Sequence, residues 1–190
     1  MVRAILKGDK TQTRRKMNPQ PIEGDCLEIG TYAPTVVDRH GEEGPGKEGW
    51  GASSEYECIR CPYGKPGDRI WVRETFCPYT TTVYSSQGKT VSDPKAVYAA
   101  DGGFLLNGYK WKSSIFMPRW ASRITLVISS VRVQRIQDIS EEDAIAEGFG
   151  MAFGPGMFSR AFDSYWDEIN GSGSWSDNPW VWCVGFRMVT

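Results

Sequence analysis

Ile124, Leu126 and Ile128 recur at every second position, and Val131 and Val133 resume the alternation one step out of phase. A strand whose phase slips carries an extra residue. A bulge or tight turn is therefore predicted at Ser129-Ser130, the kind of bend a small barrel needs. Trp180, Trp182, Val184, Phe186 and Met188 alternate in a closing strand. Its other face carries Val181, Cys183, Gly185, Arg187 and Val189, so burial on both sides is expected. Between these strands, Phe158, Ala161, Phe162, Tyr165, Trp166 and Ile169 recur at offsets 0, 3, 4, 7, 8 and 11, the stripe of an amphipathic helix. The stripe reads as core rather than as a ligand box, and Asn170-Gly171 ends it.

Shorter signals fill in the rest. Ser140 caps a helix whose first turn is acidic, with Gly148 as its stop. Met1 to Lys7 reads as a short helix halted by a left-handed Gly8, with a strand around Thr11 and Thr13. Lys65-Pro66-Gly67-Asp68 is a turn, and a strand with one buried face follows through Ile70 and Val72. Asn18 to Gly51 is rich in Pro, Gly and Glu without a sustained period, which predicts a loop insertion over about residues 18–60. Thr80 to Pro94 reads as a surface loop before a short strand at Ala96 to Ala100. Bent strands, three helices and long loops, with no βαβ rhythm and no nucleotide-loop glycine motif, predict an α+β fold. Its expected form is a small mixed β-barrel with packed helices and long loop insertions, in one domain over residues 1–190.

Composition narrows the function classes. A net charge of -1 leaves no global basic field, so any contact with nucleic acid must come from a local patch. Eight Trp, eight Tyr and eight Phe exceed what a plain core needs, and aromatic rings are also platforms on which bases stack. No apolar run approaches the roughly 20 residues of a membrane span and no signal-peptide layout is present, so a cytoplasmic protein without membrane partners is expected. Five cysteines, an odd number, suit a reducing compartment.

Three stretches carry candidate chemistry. In Gly8-Asp9-Lys10-Thr11-Gln12-Thr13-Arg14-Arg15, hydroxyls, an amine and two guanidiniums crowd into one turn of chain. Arg14 and Arg15 suit bidentate anion binding, and a desolvated Lys10 suits a base or an amine nucleophile; a charged edge strand is the plainer reading. In a regular strand Lys10 and Thr13 point to opposite faces, so they cooperate only if the backbone turns between them. Cys58 and Cys61 have C-x-x-C spacing and, with Cys26 and His40, compose a three-Cys, one-His zinc set, against the alternative of ordinary thiols and a solvated histidine. A structural zinc is the one bound group the residues suggest. Trp111 to Arg123 interleaves aromatic and basic residues, as in a loop that stacks a base on Trp120 while Arg119 or Arg123 meets phosphate, or in a connector anchoring Phe116 and Trp120. Glu147, in the last turn of its helix, opposes the helix dipole by roughly 0.3 to 1 kcal/mol, a setting that suits a proton donor or shuttle.

MVRAILKGDKTQTRR, CPYGKPGDRIWVRET, MPRWASRI, ISEEDAIAEG and NPWVWCVGF, from Met1 to Phe186, resemble the ASCH domains of the PUA-like superfamily, in particular the bacteriophage and prophage type. The resemblance implies a PUA-like barrel whose cleft takes RNA or a modified nucleoside, in a host cytoplasm where the gene belongs to a phage. A smaller bacterial relative, similar in its G-x-K-T-x-T-x-R octet, removes the acetyl group from N4-acetylcytidine with a lysine, a threonine and a glutamate. Carried over by position, these are Lys10, Thr13 and Glu147. On that reading Thr13 attacks or positions water, Lys10 is base or oxyanion partner, and Glu147 protonates the leaving nitrogen. Arg14, Arg73 or Arg119 hold the substrate, Trp120 stacks the base, and no cofactor is required. Other family members are linked to RNA binding or RNA cleavage, so a non-catalytic RNA-binding module and then a ribonuclease are the alternatives. The sequence departs from the family by starting at Met1 without the usual preceding strand, and the Cys-containing insertion has no counterpart in the small amidohydrolase.

Overall fold

A computed structural model describes residues 1–22, 27–84, 90–103, 108–149 and 158–189. The first helix, α1 (Val2–Lys7), ends at Gly8, whose φ of 82° is the left-handed stop expected for it. The chain then enters β1 (Gln12–Lys16). Next come β2 (Glu28–Tyr32), β3 (Thr35–Val37), β4 (Glu43–Pro45), β5 (Gly49–Ser53) and β6 (Cys58–Arg60). They are followed by β7 (Arg69–Trp71), β8 (Phe76–Tyr84), β9 (Thr90–Tyr98) and β10 (Thr125–Arg135). The chain closes with α2 (Glu141–Ala146), α3 (Phe158–Asn170) and β11 (Trp180–Val189). The described residues are thus mostly strand with few helices, a mixed fold compatible with the barrel-like α+β class.

The central sheet runs β1-β11-β10-β7 and is antiparallel throughout. Its β10-β11 ladder shifts register between Ile128 and Ser130, at the predicted phase slip, and Gly185 is the residue opposite the extra one. A Cβ at 185 would run into the Ser130 hydroxyl and crowd that of Ser129, so a side chain there would force Ser130 to turn away. The bulge curls the sheet, and Val181 to Phe186 of β11 are buried without a break. One side of the curl packs Met17, Ile128, Trp182 and Val184 against Ala52 and Ile59. The other packs Val181 and Cys183 against Ile136, Ala144, Phe162 and Trp166, which docks α2 and α3 on the sheet.

Two expected loops are strands instead. The insertion holds a β2-β5-β6 sheet and a β3-β4 hairpin, and Thr80 to Tyr84 pair with Thr90 to Pro94 in the β8-β9 ladder. The 28–53 strands alternate little between buried and exposed, and the 80–94 sequence is Ser/Thr-rich with only isolated apolar residues, so neither leaves a period-two apolar trace. Trp111 to Arg123 is irregular, with 3-10 turns at Ser114–Phe116 and Arg119–Ala121, but Phe116 and Trp120 are exposed, so it does not anchor them in the core. No described helix is long and apolar enough to cross a membrane.

Candidate active site

Gly8 turns the chain so that the Asp9 and Lys10 amides both donate back to the Ala4 carbonyl, and the Thr11 amide donates to Ala146 at 2.9 Å. The exit of α1 is thereby laid against the exit of α2, and Lys10 forms an isolated backbone bridge with Glu147. At the other end of α2, the Ser140 hydroxyl accepts from the Asp143 amide at 3.1 Å, the expected cap. Gly148, with φ of 94°, ends the turn and lies so close to Lys10 that an added Cβ would meet the Lys10 Cβ at 3.3 Å. A glycine at 148 is therefore needed both for its backbone angle and for the approach of Lys10.

Lys10 and Glu147 are 5% and 6% exposed. Lys10 Nζ donates to Glu147 Oε2 and to the Glu147 carbonyl, both at 2.7 Å. Arg14, 2% exposed, reaches Glu147 Oε1 at 3.4 Å through one terminal nitrogen and Asp143 Oδ2 at 2.6 Å through the other. Asp143 Oδ1 in turn takes the Arg132 guanidinium and, at 3.4 Å, the Gln12 amide. Three cations and two carboxylates thus form one chain from Lys10 to Arg132. Such a network is costly to desolvate and holds only because its charges are paired.

Burial pulls the Lys10 ammonium below the usual lysine value; the Glu147 charge and hydrogen bond push it back up, while Arg15 and Arg14 lower it further. Burial pushes the Asp143 carboxyl up, yet the hydrogen bonds and charges of Arg132 and Arg14 outweigh that and hold it below the ordinary aspartate value. Cys183, opposite both Arg14 and Arg132 in the sheet, is pushed up to about 11 by burial, so it stays a thiol at neutral pH.

Lys10, Gln12 and Arg14 are buried while Thr11 and Arg15 are exposed and Thr13 is half-buried, so Lys10 and Thr13 do fall on opposite faces of the extended chain. Because β1 is an edge strand, both faces still reach the space beside Glu147. A cavity of about 300 Å³ is lined by Thr13, Arg14, Arg15 and Glu147, with Phe162, Tyr165, Trp166 and Ile169 of α3 as an aromatic and apolar wall. A smaller cavity of about 140 Å³, lined by Lys10, shares Met1, Glu147 and Tyr165 with it. The Thr13 hydroxyl accepts from Arg15 Nη1 at 3.0 Å.

The α3 stripe expected to be core alone therefore also walls the cavity. Asp143 and Arg132 are site residues that the sequence reading missed; an acid in a helix's first turn reads as a dipole partner, and only the fold brings β1 to it.

The remaining expected site residues lie elsewhere. Arg73, Arg119 and Trp120 line neither cavity at Glu147. The Arg73 and Arg119 guanidiniums sit 4.8 and 5.8 Å from the centre of the Trp71 ring, and Trp120 is 51% exposed. Arg123 is bound to Glu74 and Asp101 and lies 3.9 Å from the Tyr98 ring centre. Of the zinc set, Cys26 lies outside the described residues. His40 is exposed beside Arg39, Cys58 is exposed and Cys61 is buried, and these three do not gather. Among the described residues no group of three His, Cys, Asp or Glu side chains is placed to hold a metal.

No family model matches the chain, and no curated protein and no solved structure matches it.

Proposed function

We propose that the chain is an RNA- or nucleoside-directed protein of the ASCH, PUA-like type, and that it hydrolyses N4-acetylcytidine or a closely related N-acylated nucleoside at Glu147. One observation carries the reading. A lysine and a glutamate far apart in sequence meet at 2.7 Å in a buried pair, beside an aromatic-walled cavity that a threonine also lines. Amide hydrolysis needs a positioned nucleophile, a proton carrier for the leaving amine and a partner for the oxyanion.

Thr13 is assigned the positioning of water rather than attack, because its hydroxyl is held by Arg15 and makes no hydrogen bond to Lys10 or Glu147. The water oxygen bonds to the acetyl carbon and the C–N4 bond breaks. Glu147 carries the water's proton to N4, and the Lys10 ammonium meets the oxyanion. Acetate and cytidine leave. Arg14, clamped between Asp143 and Glu147, orients the carboxylate. The aromatic wall of α3 is the surface for the base, the part the sequence reading gave to Trp120.

A second reading, a non-catalytic RNA-binding module, is favoured by the exposed surface where Arg73 and Arg119 lie against Trp71 near Trp120 and Phe116. A panel of N-acylated nucleosides, followed for release of the acid by chromatography beside RNA-binding titrations, separates the two. Turnover of N4-acetylcytidine supports the first. RNA binding that weakens with salt and brings no turnover selects the second, and neither behaviour contradicts both.

A further inference from the structure

A larger open space than the one at Glu147 lies elsewhere on the molecule. A groove of about 700 Å³ is lined by Arg60, Cys61, Tyr63, Gly64, Asp68 and Arg69, between the end of β6 and the start of β7. It continues into a second of about 490 Å³ that shares Arg60, Cys61, Gly64 and Asp68 and adds Lys47 and Lys65. Arg60, Arg69, Lys47 and Lys65 are exposed, and no described carboxylate pairs with any of them. The acids facing them are Asp68 and Glu48, and Asp68 Oδ2 is already taken by the Lys65 amide at 2.9 Å. The groove is therefore net positive in a chain that is not, with Tyr63 and Trp50 beside the cations. Arg15 links it to the cavity at Glu147. Its side chain lines that cavity, and Met17, two residues further along the same stretch, packs in one cluster with Tyr63 of the groove.

We infer that this groove binds phosphate groups attached to the base held at Glu147, with Arg60 and Arg69 as the main contacts, so that the preferred substrate is a phosphorylated nucleotide or strand rather than a free nucleoside. The inference rests on the nucleoside-directed reading of the Glu147 cavity and extends it. Guanidiniums on a rigid turn suit phosphate oxygens because two N–H donors meet two acceptors in one plane.

The test has a binding arm that needs no turnover. A labelled, unmodified pyrimidine oligoribonucleotide of roughly ten nucleotides is titrated by anisotropy at several salt concentrations. R60S/R69S is expected to bind about tenfold more weakly, with a salt slope smaller by about 1.4 for two lost contacts on a single strand. R60K/R69K, which keeps both charges, is expected to recover most of the slope. In the kinetic arm, kcat/KM is compared for N4-acetylcytidine, its 5′-monophosphate and an oligonucleotide containing it. A gain already complete at the monophosphate identifies a single phosphate as the ligand, and a gain only in the oligonucleotide identifies the strand. Equal kcat/KM for all three, an unchanged slope in R60S/R69S, or equal binding of a polyglutamate of the same charge would overturn the inference. An arginine-dependent slope without deacetylation would leave the groove assigned and remove the hydrolase reading.

Discussion

Lys10 Nζ donates at 2.7 Å both to the Glu147 carboxylate and to the main-chain carbonyl of the same residue, across 137 positions of sequence. The amine thus fixes the side chain and the peptide that carries it. The two ends of this pair are not equivalent, because Glu147 has a second cation in Arg14 at 3.4 Å while Lys10 has no second carboxylate among the described residues.

Glu147→Gln leaves the Lys10 ammonium buried without a counter-charge and is expected to destabilise the fold by about 3 to 5 kcal/mol. Lys10→Met leaves Glu147 paired with Arg14 and is expected to cost less. Urea denaturation of the two variants checks the order. The pair also sets a pH trend. Since the folded value of Lys10 lies below 10.5, the unfolded chain holds more protons between that lowered value and 10.5. Stability therefore rises with pH across this interval, and Lys10→Met removes the rise.

Asp143 produces the opposite limb. Its folded carboxyl lies below 3.8 because Arg132 and Arg14 together outweigh its burial. Its contribution is present in full above 3.8 and is lost as pH falls through the folded value. Asp143→Asn is expected to flatten the acid side of the stability curve, read by thermal denaturation between pH 5 and pH 2.

Gly148→Ala tests whether local backbone geometry holds the site. The φ of 94° and the 3.3 Å approach to the Lys10 Cβ both resist a methyl group. A loss of about 1 to 3 kcal/mol is expected, together with a shift of Lys10 that lowers activity more than stability alone explains. Full activity in Gly148→Ala would mean that the Lys10 position tolerates movement.

Much of this framework was legible because its rules are local. Gly8 as a stop, Ser140 as a cap and the bulge at Ser129-Ser130 each follow from two or three neighbouring residues. The convergence of Lys10 with Glu147 was reached through resemblance, since nothing in the spacing of the two residues encodes it. Asp143, Arg132 and the cavity wall of α3 were missed because a helix stripe looks the same whether it packs on a sheet or leaves a cavity beside it. The strands of the insertion leave no period-two trace because they are short and seldom fully buried, so burial imposes no alternation on them.

The cysteines should separate by reactivity. Cys58 is exposed, whereas burial pushes the Cys61 thiol up and takes Cys183 to about 11. Brief alkylation at neutral pH followed by peptide mapping is expected to label Cys58 well before Cys61, Cys77 and Cys183. Early labelling of Cys183 would place it in contact with solvent, against the packing of β11 on α3.

Steady-state hydrolysis of N4-acetylcytidine decides whether the buried Lys10–Glu147 pair works on an N-acylated base. The wild-type chain is expected to release acetate and cytidine. In folded Lys10→Ala and Glu147→Gln, kcat is expected to fall by a factor of about 10² to 10⁴, with a smaller fall in Thr13→Val. No acetate from the wild-type chain, or undiminished turnover in both Lys10→Ala and Glu147→Gln, would contradict that role for the pair.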